Sequence, residues 1–468
     1  MSFIILLVLL ASALGTPIYS RGSDVPASST KYWFTQAIDH FGNNNGTWKQ
    51  QYLVNATFYK PGGPIFISTP GETPLSTRYV DATYPSQLAQ QMNALVVSVE
   101  HRFFGSSNPM PDLTGESLKV LTIDNVLEDF ARFLTAAKTN PDAVFPVPVS
   151  KNAKVIFFGG SYSGNVAAWM RAKYPDLVLG AWSSSAILYA RLQNYQFDQG
   201  YGRHLQALGC AKQFSQAIDA VDSILTSNDI APFQEKLGLP ALSAQDTGGL
   251  LAGLGILYSL SPIYKGLDLV DSNVCSHFTN STVAPIDAYT QMIKSAIAQT
   301  GLSSEGLMQM GNTSYGLHNY ALGQVDRTWY YMCCTWFGNW QVAPPADLGL
   351  SRYRSQLADL SYYQPNCQRK FGSDMAIPVD VDAYNAKWFD ILKGASNIYY
   401  TTGSLDIWRD STVLTSTGNL LSSKSMFTIN GASHVQDLKI AQDNDLDTVK
   451  QARYIGNTLV GRWLRESC

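Results

Sequence analysis

Residues 153–170 read AKVIFFGGSYSGNVAAWM: an apolar run, a turn of two glycines and two serines, then a stretch of helical character. Val155–Phe158 has the composition of a strand buried on both faces, and the chain after Ser163 continues as a helix ended by Pro175. A serine hydroxyl is a poor nucleophile until a base takes its proton and a third group orients that base. It must also protrude from the backbone, which a tight strand-to-helix turn achieves when the residues two before and two after are small. Ser161 meets this condition, with Gly159 and Ser163 at those places, whereas Ser163 would have Ser161 and Asn165. The Tyr162 N–H at the helix start is then a candidate oxyanion donor.

Outward from this turn the pattern repeats. PIFIST (Pro64–Thr69) and NALVVSVEHR (Asn93–Arg102) read as strands, and IDNVLEDFARFLTAAK (Ile123–Lys138) has apolar residues at helical spacing. Apolar strands alternating with helices predict an α/β fold with a mostly parallel sheet covered on both faces. From about Tyr189 to Ala376 the character changes. CAKQFSQAIDAVDSIL and APIDAYTQMIKSAIAQ have helical periodicity, the second with Pro285 suited to a first turn. Strand patterns resume in SNIYYTTGSLD and KSMFTINGASH, before a closing helix in DLDTVKQARYIGNTLVGRWL. The expected organisation is a leader over 1–15, a sheet domain in two parts over 16–188 and 377–468, and an inserted, mainly helical domain over 189–376.

The chain has six histidines: His40, His101, His204, His277, His318 and His434. In hydrolases with a strand–turn–helix nucleophile the chain order is serine, acid, histidine, each after a strand. His434 alone lies near the carboxyl end, after a strand-like run, and Asp406 follows the strand before it, with Asp410 as the rival. Ser161, Asp406 and His434 therefore form the candidate triad. Metal ions and organic cofactors are not needed for such chemistry.

Composition bounds the rest. The 468 residues are 45% hydrophobic and 15% charged, with a formal net charge of −3 and no basic run, which argues against a nucleic-acid partner. Phe3–Leu10 is an apolar run too short to span a membrane, followed by small residues at Ala13 and Gly15, and reads as a secretory signal. GGLLAGLGILYSLSPIY from Gly248, glycine-rich and broken by proline, reads as buried core. Sequons at Asn45, Asn55, Asn280 and Asn312 fit a secretory glycoprotein, with no membrane attachment after signal removal. The six cysteines, Cys210, Cys275, Cys333, Cys334, Cys367 and Cys468, lack a Cys-x-x-Cys spacing and read as structural disulfides of an oxidising compartment, extracellular or lysosomal.

GGSYSGNVAAWMRAKYP strongly resembles the nucleophile segment of the prolyl-specific serine exopeptidases. FTQAIDHF, TWKQQY, EHRFFGSSNP, RTWYYMCCTWFG, TGSLDIW and GASHVQDL resemble further segments of that family and extend the likeness from Phe34 to Leu438. The resemblance implies an α/β-hydrolase fold with a helical insertion capping the site, and cleavage of peptide ends beside proline through an acyl-enzyme on Ser161, with His434 as base and Asp406 as its partner. The family includes carboxypeptidases and dipeptidyl peptidases, and membership does not choose between them. An esterase of the same fold and a silent binding glycoprotein are the competing readings. A monomer and a homodimer are both compatible with the sequence.

Two segments depart from the family pattern. Where the family has a stretch close to Gly-x-Glu-Gly, this chain has Pro70-Gly71-Glu72-Thr73, and proline lacks an N–H, so a second oxyanion donor falls to Gly71 or beyond. Where the family pattern resembles WxxQxCTEFG, Met332 and Trp336 replace the polar residues. Glu72 is a candidate for holding a substrate amine, beside the ordinary reading of a local cap or solvated charge. Trp329 and Trp336 are candidates for the wall of a proline pocket, within an aromatic set read mostly as core. Cys334 matches the family cysteine, which points to Cys367 as its partner, with Cys210 and Cys275 as another pair. Glu100, His101, Arg102 and His40 read as groups that pin loops.

Overall fold

The computed structural model describes residues 28–42, 44–227, 229–264, 272–278, 282–311, 319–412 and 426–467. The leader segment, Asn280, Asn312, His318 and Cys468 lie outside them.

Eight strands form one sheet: β1 (Tyr32–Ala37), β2 (Thr47–Asn55), β3 (Ile65–Ser68), β4 (Leu95–Val99), β5 (Val155–Gly160), β6 (Gly180–Ser184), β9 (Ile398–Gly403) and β10 (Met426–Ile429). Their order is β1-β2-β4-β3-β5-β6-β9-β10, with β2 antiparallel to both neighbours and every other pairing parallel. The remaining two strands, β7 (Arg191–Gln193) and β8 (Gly338–Trp340), pair in parallel outside this sheet.

The apolar runs read as strands because they feed two cores at once. Val155 and Phe157 of β5 point into one hydrophobic cluster, and Ile156 and Phe158 into another. This period-two division explains why the segment carries no polar face. On the first face lies the helix Ile123–Thr139, whose Thr122 side chain accepts the Asn125 N–H. It buries Val126, Phe130, Phe133 and Leu134 against the sheet. On the second face Tyr84 and Leu88 of the helix Tyr84–Met92 join Val460 and Trp463 of the helix Asp447–Glu466. Strands sandwiched between two helical layers, with the strand order above, are the α/β-hydrolase fold.

Between β6 and β9 the chain leaves the sheet. The helices Tyr195–Ala207, Ala211–Leu225, Ala244–Tyr264 and Pro285–Thr300 pack around Leu205, Phe214, Val221, Leu250 and Met292, a core of their own. Pro285 occupies the first helical position, where its missing N–H costs nothing. The later part behaves differently: Trp329, Met332, Phe337, Cys367 and Phe371 belong to the same cluster as the sheet's first face. The helix Val381–Lys393 then returns to the sheet, Trp388 lying 4.7 Å from Trp169 between ring centroids. Cys210 pairs with Cys275 and Cys334 with Cys367, while Cys333 is a free, buried thiol. Among the described residues no helix is long and apolar enough to cross a membrane.

Candidate active site

Ser161 sits between the end of β5 and the helix Tyr162–Lys173 with φ 58° and ψ −134°. A non-glycine residue there is strained, at a cost of about 1–3 kcal/mol. The strain is imposed by neighbours on both sides. The Ser161 N–H donates to the Ser184 carbonyl at 2.9 Å, and the Ser161 carbonyl accepts the Gly164 N–H at 2.8 Å. A Cβ on Gly159 would fall 1.9 Å from the Ser163 carbonyl oxygen, so only glycine permits so tight a turn. Ser161 is partly exposed, while Tyr162 through Met170 are buried. Ser163, the other serine of the turn, is buried in the first helical turn, with its hydroxyl packed against Gly71.

His434 and Asp406 meet as the chain order anticipates. The His434 Nδ1 lies 2.9 Å from Asp406 Oδ2 and 3.0 Å from Oδ1, and both residues are buried. The Trp408 N–H donates to Asp406 Oδ1 at 2.9 Å, and the Ser185 hydroxyl also bonds to this carboxylate. Burial alone would raise the Asp406 pKa. The charge and hydrogen bond of His434, with these two donors, outweigh it and hold the carboxyl below its usual range. The histidine loop abuts the serine turn, since a Cβ on Gly160 would lie 2.3 Å from Val435 Cγ1.

Gly71 has φ +69°, and a Cβ there would lie 2.6 Å from Ser163 Oγ, so this loop crosses directly over the serine turn. Its N–H donates to Thr69 Oγ1 at 3.2 Å, a long bond. Glu72 is 7% exposed, which removes the solvated-charge reading. Burial pushes its carboxyl up to about 7, against the opposing pull of its own backbone N–H and of His434. Glu72 therefore lies within electrostatic reach of the histidine and changes charge near neutrality. Cys333, Tyr79 and Tyr162 all feel its charge.

The aromatic segment packs on the ring of Tyr162, the residue after Ser161. Trp329 and Trp336 are buried, their ring centroids 6.0 and 6.3 Å from that of Tyr162, and Phe337 is 6.5 Å away. Cys333–Phe337 forms a π-helical turn, a form common at functional sites. Trp340 stacks instead on Tyr363 at 5.0 Å, away from this group.

The remaining candidates are scaffolding. Glu100 accepts the N–H groups of Leu75 and Ser106. His101 bonds to the Tyr162 hydroxyl at 2.9 Å, and burial lowers its pKa to about 4, so it is neutral. Arg102 makes a two-pronged pair with Asp129, which also bonds to His40. Asp410, the rival acid, pairs with Arg203 at 3.1 Å. Asn45 is exposed, as a glycosylation acceptor must be. Asn55 ends β2, is 8% exposed, and its amide donates to Val80 O and Asp81 Oδ1, so this side chain is engaged within the fold, unlike that of Asn45.

Sequence reasoning missed Ser185 and Asp437. Ser185 has φ 50°, and its hydroxyl accepts the Val435 N–H at 2.9 Å in addition to bonding Asp406. Asp437 is buried and accepts from Trp182 Nε1 at 2.8 Å, Thr401 Oγ1 at 2.6 Å and Ser184 Oγ. It thereby fastens the histidine loop to β6 and β9. The polar triplet Ser183–Ser185 closing an apolar strand was the available signal.

A protein-family model described as serine carboxypeptidase S28 matches residues 36–247 and 267–455. The chain belongs to this family of serine-type peptidases. Its relatives include the thymus-specific serine protease of Mus musculus, 28% identical and covering 96% of this chain and 90% of the relative. A lysosomal Pro-X carboxypeptidase of Pongo abelii is 26% identical, over 95% of this chain and 90% of the relative. A serine protease of Bipolaris victoriae is 26% identical, over 92% and 88%. Among solved structures, a thermostable esterase from Pseudomonas putida covers 97% of this chain and 87% of its own at 12% identity and a TM-score of 0.37.

Proposed function

We propose that this S28-family protein is an exopeptidase that cleaves peptides beside proline through an acyl-enzyme on Ser161. The observation that carries the reading is the pairing of buried His434 and Asp406 in the loop that abuts the strained Ser161 turn. In this mechanism His434 Nε2 takes the hydroxyl proton as Ser161 Oγ attacks the carbonyl carbon, while Nδ1–H donates to Asp406. The oxyanion is met by the Tyr162 N–H and by the Gly71 N–H, whose long bond to Thr69 is easily exchanged. His434 returns the proton to the departing amine, and water then releases the acyl group by the reverse sequence. Trp329 and Trp336 supply a flat apolar wall beside Tyr162, of the kind that suits a proline ring. Glu72 meets any free amine that the substrate brings to the His434 side. A secretory leader, two disulfides and the lysosomal name of one relative support an extracellular or lysosomal protein.

The test uses a peptide with proline second from each end, presented with both ends free, amino end blocked, or carboxyl end amidated. Products are weighed by mass spectrometry from acidic to neutral pH, with Ser161→Ala as control. Loss of a terminal dipeptide that stops on amino-blocking identifies a dipeptidyl peptidase. Loss of one carboxyl-terminal residue that stops on amidation identifies a carboxypeptidase. Three uncut peptides alongside rapid turnover of simple esters would replace the peptidase reading with an esterase.

A further inference from the structure

The loop carrying Asp406 is not built by the sheet alone. Ile407 and Trp408 are buried in the core of the inserted helices, not in either core of the sheet. Trp408 meets Phe197 of the helix Tyr195–Ala207 at 4.7 Å between ring centroids. That helix runs so close that a Cβ on Gly200 would lie 2.9 Å from the Ile407 carbonyl oxygen. One turn further on, His204 is 3% exposed, and its Nε2–H donates to the carbonyl of Leu405, the residue before Asp406. Arg203 pairs with Asp410 at the other end of the loop, and Arg191 donates to the Asp410 carbonyl. The helix itself is fixed from behind, where Asp198 is buried against Arg354.

We infer that His204 is a positioning residue for the triad: the inserted helices hold Asp406 against His434 through the His204–Leu405 bond and the Trp408 contact. The inference rests on the triad reading above. A carbonyl fixed one residue before the acid sets where its carboxylate can reach, and small displacements at a reacting centre are costly. Burial lowers the pKa of His204, against the bond to the Leu405 carbonyl, which raises it; of the charged groups acting on the ring, Arg203 lowers the pKa and Asp406 raises it.

The experiment compares His204→Phe, which keeps the ring's bulk without its N–H, with His204→Gln, which restores a donor. Four quantities are read on the full chain: thermal midpoint, kcat and KM on the proline peptide, the rate at which a fluorophosphonate labels Ser161, and the His434 titration by histidine side-chain NMR. The expected result for the Phe variant is a kcat and labelling rate reduced roughly tenfold or more, with KM within roughly twofold. Its His434 titration is displaced, and the Gln variant recovers most of both. Wild-type kcat and wild-type His434 titration in the Phe variant would overturn the inference, as would a Gln variant no better than Phe at equal thermal midpoint. If the wild-type protein neither cleaves nor labels, the function reading fails, and the His434 titration in the Phe variant still decides the positioning role.

Discussion

The serine turn and the acid loop lie in one site but are held by different parts of the molecule. Ser161 is fastened by β5, β6 and the helix that follows it, all within 30 residues of sequence and all in the sheet's own cores. Asp406 stands on β9, yet the residues after it pack into helices about 200 positions earlier in the chain. The first arm is local and strained, whereas the second is long-range and depends on a separate hydrophobic core. Damage to the sheet region should therefore act on chemistry at the turn, and damage to the inserted helices should act on chemistry at a distance.

The largest expected effect is Ser161→Ala, which should lower kcat/KM on the proline peptide by at least about 10⁴-fold while leaving the thermal midpoint within a few degrees. Retained activity would move the nucleophile elsewhere and dissolve the contrast. Next comes the pair Cys210→Ser with Cys275→Ser, which opens a 65-residue loop in the inserted helices and should cost about 2–4 kcal/mol by urea unfolding. Fluorophosphonate labelling should be lost at lower urea than the sheet's circular dichroism. Simultaneous loss would make the two regions one cooperative unit.

Glu72→Gln sharpens the comparison at the site itself. The Glu72 carboxyl has a native pKa of about 7 against an ordinary value of 4.5, so between those values the native state binds more protons than the unfolded chain. Stability from this group is thus present below 4.5 and lost as pH rises through about 7. The Gln variant should match the wild type near pH 4.5 and exceed it above neutrality, by up to about 3 kcal/mol. His101, whose pKa is lowered to about 4, contributes a slope of opposite sign that is common to both proteins and cancels in their difference. A difference independent of pH would mean that Glu72 is charged throughout. The smallest effect is Ser161→Gly: relief of φ 58° should raise stability by about 1 kcal/mol in an inactive protein, measured by thermal unfolding against Ser161→Ala.

Much of this was legible in the sequence because its signals are local. Val155–Phe158 is apolar at every position because both faces of β5 are covered, and the small residues around Ser161 announce a turn that larger ones cannot make. Asp406 and His434 each follow a segment that reads as a strand, and the structure brings these two side chains within hydrogen-bond distance. The amino-terminal strands β1 and β2 carried a weaker signal: β1 is mostly half-buried or exposed, and β2, largely buried, places the polar Gln50 and Gln51 in the interior instead of an apolar run. Nor did Asn55 betray that a sequon sits in a strand end with its amide already engaged.

By itself, then, the sequence determined the order of the sheet elements and the strand–turn–helix at Ser161, since each depends on neighbours within a few residues, and chain order proposed Asp406 and His434 beside it. Tertiary structure alone decided that Glu72 is buried within electrostatic reach of His434, that Trp329 and Trp336 pack on Tyr162, and that His204 bonds to the loop carrying Asp406. Those facts depend on which surfaces meet when distant segments pack, and no local pattern of residue types records that meeting.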